Sequence, residues 1–185
     1  PVVRESLTKY LAEVTYFDKQ VGQILDLLDK HNLSKNTMVM VVSEQGNSLP
    51  FAKWTCYEDG LGSIMIVCWP GKVNQGSESD AIVEYVDVTP TFIEAAGGKV
   101  PEVIEGKSMV DLLTGKTNKH KRYTFGIQTT NGIFFSEQPY PIRSVRDERY
   151  RLIWNLMPDN KFENAATERS KEIESMLKLE EKGDR

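Results

Sequence analysis

The first part of the chain combines one long helical pattern with a short, continuous apolar run. Apolar residues recur at helical spacing with polar residues between them, at Leu7, Tyr10, Leu11, Val14, Phe17, Val21, Ile24, Leu25 and Leu28. This spacing predicts an amphipathic helix of about six turns. The run Thr37–Val42 is apolar on both faces, which is typical of a central strand in a parallel sheet covered by helices. Together they predict an α/β layered fold.

The same α/β pattern continues to about residue 115. Ser63–Trp69 predicts a second apolar strand, which a Pro-Gly turn closes. Tyr85–Ala96 predicts a helix with Thr89 as its cap, and Ser108–Leu113 predicts a further short helix.

The last third of the sequence has the short, alternating, aromatic-rich segments of an antiparallel sheet. The three predicted strands are Arg122–Ile127, Pro141–Arg146 and Tyr150–Leu156. Glu and Lys alternate around apolar residues in 170–183, which predicts a surface helix. We therefore predict two units: an α/β part at residues 1–115, and a small antiparallel sheet with a C-terminal helix at residues 116–185.

Composition excludes several classes of protein. The 185 residues are 39% hydrophobic and 27% charged, as in ordinary globular proteins. With 23 Lys and Arg against 27 Asp and Glu, the net charge of −4 offers no excess positive charge for nucleic acid. The longest apolar run, near Ile64–Trp69, is too short for a membrane span. Two cysteines exclude a four-cysteine zinc site, and a Cys56–Cys68 disulfide stays open.

The loop after the first predicted strand carries the candidate chemistry. Glu44 and Gln45 are hard oxygen donors that suit Ca²⁺ or Mg²⁺ better than zinc. Gly46 allows the backbone to turn sharply beside a ligand. Lys53 could place a compact positive charge on an oxygen of an anionic ester. The alternative is a plain turn whose polar side chains are solvated.

The order of several motifs resembles the type I sulfatase family, which belongs to the alkaline-phosphatase-like superfamily. The motifs are Tyr16–Leu25, Val41–Gly46, Phe51–Gly60, Ile64–Gly71, Val86–Thr91, Tyr140–Arg146 and Tyr150–Asn155. The last two are most similar to glycan sulfatases that act on N-sulfated glucosamine. The resemblance covers roughly residues 7–157. It implies an α/β fold, the C-terminal half of the alkaline-phosphatase-like sandwich, with a small antiparallel C-terminal subdomain.

The resemblance also implies roles for particular residues. Glu44 and Gln45 stand where the family completes its Ca²⁺ site and touches the sulfate, each one methylene longer than the usual residue. Lys53 matches the family's sulfate-contacting lysine and is the implied catalytic residue. The polar loop that includes Gln128 and Asn131 is an implied substrate contact. Arg143 is a further candidate, because a guanidinium group binds sulfate or carboxylate with two hydrogen bonds, and Arg146 shares that chemistry.

The nucleophile of the family is not found in this sequence. It is a formylglycine made from cysteine in a Cys-x-Pro-Ser-Arg motif, whereas the run from Cys68 to Lys72 has Gly and Lys in place of Ser and Arg. The paired metal-binding aspartates and a catalytic histidine are also missing, since His31 ends a helix and His120 lies in a basic linker. Because the chain opens at Pro1 rather than Met, we expect these groups in a missing N-terminal part of the same protein.

The resemblance implies the C-terminal part of an enzyme that hydrolyses sulfate esters or sulfamates of a sulfated carbohydrate. A gem-diol nucleophile would attack sulfur while Ca²⁺ and Lys53 stabilise charge on the oxygens. The fragment alone is expected to be inactive. The alternatives are a phosphatase or phosphodiesterase of the same superfamily, and a non-catalytic carbohydrate-binding fragment with a decayed metal site. The family's usual compartments are the periplasm, which we expect here, the extracellular space and the lysosome.

Overall fold

The computed structural model describes residues 2–130, 139–160, 162, 164, 166–167 and 170–181. The α-helices in these residues are α1 (Val2–Lys30), α2 (Glu58–Leu61), α3 (Val88–Ala95), α4 (Val110–Leu113) and α5 (Lys171–Glu181). The strands are β1 (Val39–Val42), β2 (Met65–Cys68), β3 (Thr124–Thr130), β4 (Pro139–Arg146) and β5 (Arg151–Asn155). Single 3₁₀ turns span Ser34–Asn36 and Tyr85–Asp87.

The long helix α1 is present and extends the predicted pattern at its N-terminus. No residue of α1 is buried within the described part of the chain. Its apolar stripe is open, with Leu11 53% and Phe17 50% exposed. The helix meets α5, where the Ser6 hydroxyl donates a hydrogen bond to the Glu172 carboxylate.

Strands β1 and β2 form a two-stranded antiparallel sheet, with Val39 opposite Cys68 and Val42 opposite Met65. The sequence predicted that the first of these strands lies in a parallel sheet, and for this pair that prediction is wrong. An apolar run indicates burial on both faces but does not encode the direction of the neighbouring strand. The long connection between the two strands, which carries the candidate loop, leaves either direction open.

Strands β3, β4 and β5 form the predicted antiparallel sheet in that order. The β4–β5 hairpin closes where Asp147 N–H donates to the carbonyl oxygen of Tyr150. One face of the sheet packs against the segment before β2 in a small core of Cys56, Tyr140, Ile142, Leu61, Ile153 and Phe162. This core ties the candidate loop to the antiparallel sheet.

A buried charged cluster joins the two predicted units. The Asp87 carboxylate, which precedes α3, accepts hydrogen bonds from the backbone N–H groups of Glu84 and Lys107, at 2.9 and 2.8 Å. It also lies 3.2 Å from His120 Nε2 and 2.8 Å from Lys121 Nζ. Helix α3 begins at Val88 with Asp87 at its N-cap position, two residues before the predicted cap, Thr89. The cluster fixes the linker that leads into β3.

The two cysteines are free thiols, so the Cys56–Cys68 disulfide is not formed. Cys56 is buried in the small core, whereas Cys68 is exposed on β2. Among the described residues, no helix is both long and apolar enough to cross a membrane.

Candidate functional site

The structure brings Glu44 and Lys53 together. Glu44 lies two residues after the end of β1, and Lys53 comes nine residues later in the same loop. Lys53 Nζ donates a hydrogen bond of 2.7 Å to Glu44 Oε2. The lysine side chain is 18% exposed and the glutamate side chain 65% exposed. The ammonium group is thus held inside the loop, while the carboxylate faces outward.

The start of this loop is anchored at Ser43. Its N–H donates to the carbonyl oxygen of Ile64, and its hydroxyl accepts the N–H of Ile64 at 2.9 Å. The Tyr85 hydroxyl donates to the Ser43 carbonyl oxygen. Asn47 stabilises the loop between itself and Lys53, because its carbonyl oxygen accepts the Lys53 N–H at 3.0 Å. These contacts fix the distance between the β1 end and Lys53.

Gly46 is required by this geometry. Its φ of +58° lies in the left-handed region that favours glycine. A Cβ at this position would lie 2.4 Å from the carbonyl oxygen of Asp59 and 2.8 Å from the backbone nitrogen of Lys53. The prediction that Gly46 permits a sharp turn is confirmed by its backbone angle, and the turn brings the backbone of Lys53 against it.

Two non-glycine residues with left-handed backbones flank the lysine. Phe51 has φ +66° and Trp54 has φ +60°. Such a conformation costs bulky residues about 1–3 kcal/mol and persists where the surroundings impose it, commonly at functional sites. The Trp54 ring also lies beside the ammonium group, with its centroid 5.8 Å from Lys53 Nζ.

The other predicted site residues are Gln45, Gln128, Asn131 and Arg143. Gln128 lies inside β3, so the strand continues into the predicted polar loop. The Gln128 carbonyl oxygen accepts a 2.8 Å hydrogen bond from Arg143 Nη1, which also donates to the carbonyl oxygen of Ile142. Asn131 lies outside the described residues. Gln45 is half-buried beside Gly46. Substrate contact by any of these residues stays a prediction.

Arg146 and Arg151 are engaged elsewhere. Both bind the Glu58 carboxylate, at 2.9 and 2.6 Å. Arg146, a predicted candidate for binding anionic groups, thus pairs with Glu58 of α2, and its contact with substrate stays a prediction.

The donor set of the loop suits calcium in its chemistry. Glu44 offers a carboxylate and Gln45 an amide oxygen, both hard donors. Calcium takes about six to eight oxygens, and in the described part of the chain no three His, Cys, Asp or Glu residues cluster to hold a metal. These two residues could therefore supply part of a calcium site, with most ligands coming from elsewhere.

Neither Cys56 nor His120 resembles a nucleophile or a base of this loop. Burial raises the pKa of the Cys56 thiol, which keeps it neutral and unreactive. His120 is bound to Asp87 in the buried cluster.

Sequence reasoning missed the structural role of His120, because a lone histidine in a polar linker has no periodicity to mark it as buried. It also missed two residues that contact the loop from the C-terminal segment, Phe162 and Asn164.

The described helices and strands align with solved structures of larger proteins. With 24% identity and a TM-score of 0.66, one solved structure, in complex with its substrate D-glucosamine-2-N,6-O-disulfate, aligns over 94% of this chain and 39% of its own. A phosphonate monoester hydrolase from Silicibacter pomeroyi aligns with a TM-score of 0.62 at 18% identity, over 90% of this chain and 37% of its own. At these identities the likeness establishes the alkaline-phosphatase-like fold.

The family model described as "N-sulphoglucosamine sulphohydrolase, C-terminal" matches residues 46–181, which include Lys53. The chain belongs to this family, and the sequence-based recognition of a sulfatase C-terminal portion is confirmed. An ulvan-active sulfatase from Formosa agariphila is 36% identical over 147 residues, 80% of this chain and 28% of that protein. An N-acetylglucosamine-6-O-sulfatase from Bacteroides thetaiotaomicron is 35% identical over 62% of this chain and 22% of that protein. The chain thus spans about a quarter of the length of these relatives.

Proposed function

We propose that this chain is the C-terminal part of a sulfatase that hydrolyses sulfate esters or sulfamates of a sulfated glycan. The observation that carries the proposal is the pair of Lys53 and Glu44 at the end of β1. A positive charge held in place before substrate arrives stabilises developing negative charge without reorganisation at the moment of reaction. The match to the sulfohydrolase family model supports a sulfate group as the anion that this lysine would contact.

Each residue of the loop has a distinct part in the proposed reaction. Lys53 donates an N–H to a sulfate oxygen as the S–O or S–N bond breaks and charge grows there. Glu44 holds the ammonium group in the absence of substrate. Gln45 gives an oxygen to the metal or an N–H to the sulfate. Calcium, when bound by Glu44, Gln45 and ligands outside this loop, supplies a second positive charge for the same anionic group.

The carbohydrate substrate is inferred from the relatives. One is named for activity on ulvan and another for N-acetylglucosamine-6-O-sulfate, and a protein of the same fold was solved with a disulfated glucosamine. Gln128, Asn131 and Arg143 are our candidates for contacts to the sugar. Arg143 Nη1 is already bound to carbonyl oxygens of β3 and β4, so its role would use the other donors of its guanidinium group.

The whole protein is proposed to carry the remaining machinery. The formylglycine nucleophile, the other calcium ligands and the catalytic histidine are assigned to an N-terminal part, because this chain matches a C-terminal family model and spans only 28% of the ulvan-active sulfatase. We assign the protein to the periplasm or the extracellular space, with the lysosome as the alternative compartment. Reading the sequence upstream of residue 1 tests this directly, because a Cys-x-Pro-x-Arg motif there is required.

The decisive assay compares substrates on the whole protein. An aryl sulfate, glucosamine carrying N- or 6-O-sulfate, and an aryl phosphate are offered with added Ca²⁺ or with a chelator. We expect turnover of a sulfated substrate that the chelator abolishes. Preference for the phosphate would instead favour the phosphatase alternative, and sugar binding without turnover would favour the non-catalytic one.

A further inference from the structure

The loop around Lys53 is held from a distant part of the sequence. Asn164 is 2% exposed, and its Nδ2 donates a 3.1 Å hydrogen bond to the carbonyl oxygen of Trp54. The two residues are 110 positions apart in the chain. Trp54 directly follows Lys53 and is one of the two left-handed residues that flank it.

The second left-handed residue is held from the same segment. The ring of Phe162 lies nearly parallel to that of Phe51, with centroids 6.2 Å apart and planes at 18°. Phe162 also contacts the rings of Tyr57 and Tyr140, so it is fixed by the small core. Phe51 is therefore held by Phe162, and Trp54 is held by Asn164.

Asn164 is itself fixed in orientation. Its Oδ1 accepts the N–H groups of Ala166 and Thr167, at 2.9 and 3.0 Å. Its backbone N–H donates to the Thr167 hydroxyl at 2.8 Å. Because the oxygen side of the amide is bound by two N–H groups, the nitrogen side must face Trp54. The amide acts as a rigid link between the C-terminal segment and the loop.

We propose that Asn164 and Phe162 are positioning residues for Lys53: they hold Trp54 and Phe51 in left-handed conformations and thereby place the Lys53 ammonium group for the sulfate. This inference rests on the proposed sulfatase function and adds residues that touch neither substrate nor metal. A left-handed backbone on a bulky residue relaxes once its support is removed. Relaxation at either flank would move the lysine, and a misplacement of about 1 Å can cost a hundredfold in rate.

The test uses the whole protein and the variant Asn164→Asp. This change keeps the oxygen that accepts the Ala166 and Thr167 N–H groups but replaces the donor to Trp54 with an acceptor. Asn160→Asp is the matched control, because Asn160 is exposed and lies in the same segment. We expect kcat/KM for a sulfated substrate to fall about 10- to 100-fold in Asn164→Asp and to stay unchanged in Asn160→Asp.

A double-mutant cycle separates positioning from general stability. If Asn164 acts through Lys53, Asn164→Asp causes little further loss in a Lys53→Ala background. An equal loss in both backgrounds would overturn the proposal. If Asn164→Asp does not fold, the same cycle is measured with Phe162→Leu. This variant keeps an apolar side chain but loses the ring contact with Phe51.

A second readout does not depend on turnover. The rate at which acetic anhydride modifies Lys53 is measured by mass spectrometry, with the other lysines of the sample as internal references. We expect a severalfold faster reaction at Lys53 in Asn164→Asp only. Wild-type protein that turns over no sulfate would contradict the proposed function alone, whereas unchanged Lys53 labelling would overturn the positioning role.

Discussion

The imidazole of His120 and the carboxylate of Asp87 lie 3.2 Å apart, with side chains 2% and 0% exposed. Burial lowers the pKa of His120 from its ordinary value of 6.5, although Asp87 opposes the shift, and Lys107 and Lys121 add to it. Burial acts to raise the pKa of Asp87, but hydrogen bonds from Lys121 and two backbone N–H groups lower it overall. The lowered pKa of Asp87 favours the folded state at neutral pH, whereas the lowered pKa of His120 costs stability where the unfolded imidazole becomes protonated.

We predict that stability falls as the pH drops below the ordinary pKa of histidine, 6.5. In that range the unfolded chain binds a proton that folded His120 does not, so the free energy of unfolding decreases. The melting temperature of the whole protein should fall less between about pH 7.5 and pH 5.5 in His120→Gln than in wild type. The control is His31→Gln, at the exposed end of α1, which should follow wild type. Equal pH dependence in all three proteins would contradict this account.

The elements of this fold differ in how far the sequence could predict them. Helix α1 and strands β3 to β5 follow from the spacing of apolar residues along the chain, because a helix and a strand place side chains on one face with different periods. The antiparallel pairing of β1 with β2 does not follow from periodicity, since an apolar run is the same whether its neighbouring strand is parallel or antiparallel. The sequence could place Glu44 and Lys53 in one loop because both lie within one short segment, whereas the ion pair between them is seen only in the structure.

The contacts of Asn164 and His120 could not be read from the sequence. Each side chain is buried by residues far away in the chain, at Trp54 and Asp87. Both lie in irregular segments, where polar residues have no period and are ordinarily solvated. Their burial depends on tertiary packing alone.

Replacement of Lys53 by alanine should lower kcat in the whole enzyme by about 10²–10³-fold, the cost typical of losing one preorganised donor. Stability should fall by about 1 kcal/mol or less, because the partner carboxylate of Glu44 is largely solvated. Lys72→Ala, an exposed lysine after β2, is the matched control. Measuring kcat and the melting temperature together distinguishes a catalytic lysine from a structural one. An unchanged kcat at saturating substrate would remove Lys53 from the reaction.

Replacement of Glu44 by alanine should weaken calcium binding by more than about tenfold, because a charged oxygen ligand is lost. The measurement is calcium titration by calorimetry on the whole protein. Glu78→Ala, which removes another exposed glutamate, should leave the affinity unchanged. Equal affinity in wild type and Glu44→Ala would mean that residues 43–46 form only a turn.

Gly46→Ala and Gly71→Ala form a matched pair of loop variants. Both glycines have positive φ, +58° and +73°, so alanine costs about 1–2 kcal/mol at either site from the backbone alone. A Cβ at Gly71 meets nothing within 4 Å, whereas at Gly46 it collides with Asp59 and Lys53. We expect lower stability in both variants and a loss of kcat only in Gly46→Ala. Wild-type kcat in Gly46→Ala would show that the close approach is dispensable.

The 185-residue chain by itself should hydrolyse no sulfate ester. It lacks the nucleophile motif, and nucleophile and metal act as a unit. The assay offers an aryl sulfate to the purified chain with Ca²⁺ present. Turnover that survives repurification and persists in Cys68→Ser would show that the nucleophile lies within this chain after all.

The contact between Asn164 and Trp54 also determines when the loop can fold during protein synthesis. The two residues are 110 positions apart, so at about 5 to 20 residues per second the ribosome makes Trp54 roughly 5 to 20 seconds before its anchor. Through that interval Phe51 and Trp54 have no C-terminal segment to hold their left-handed backbones. A nascent chain therefore contains Lys53 well before the contacts that position its ammonium group can form. Those contacts form only once translation has passed Asn164.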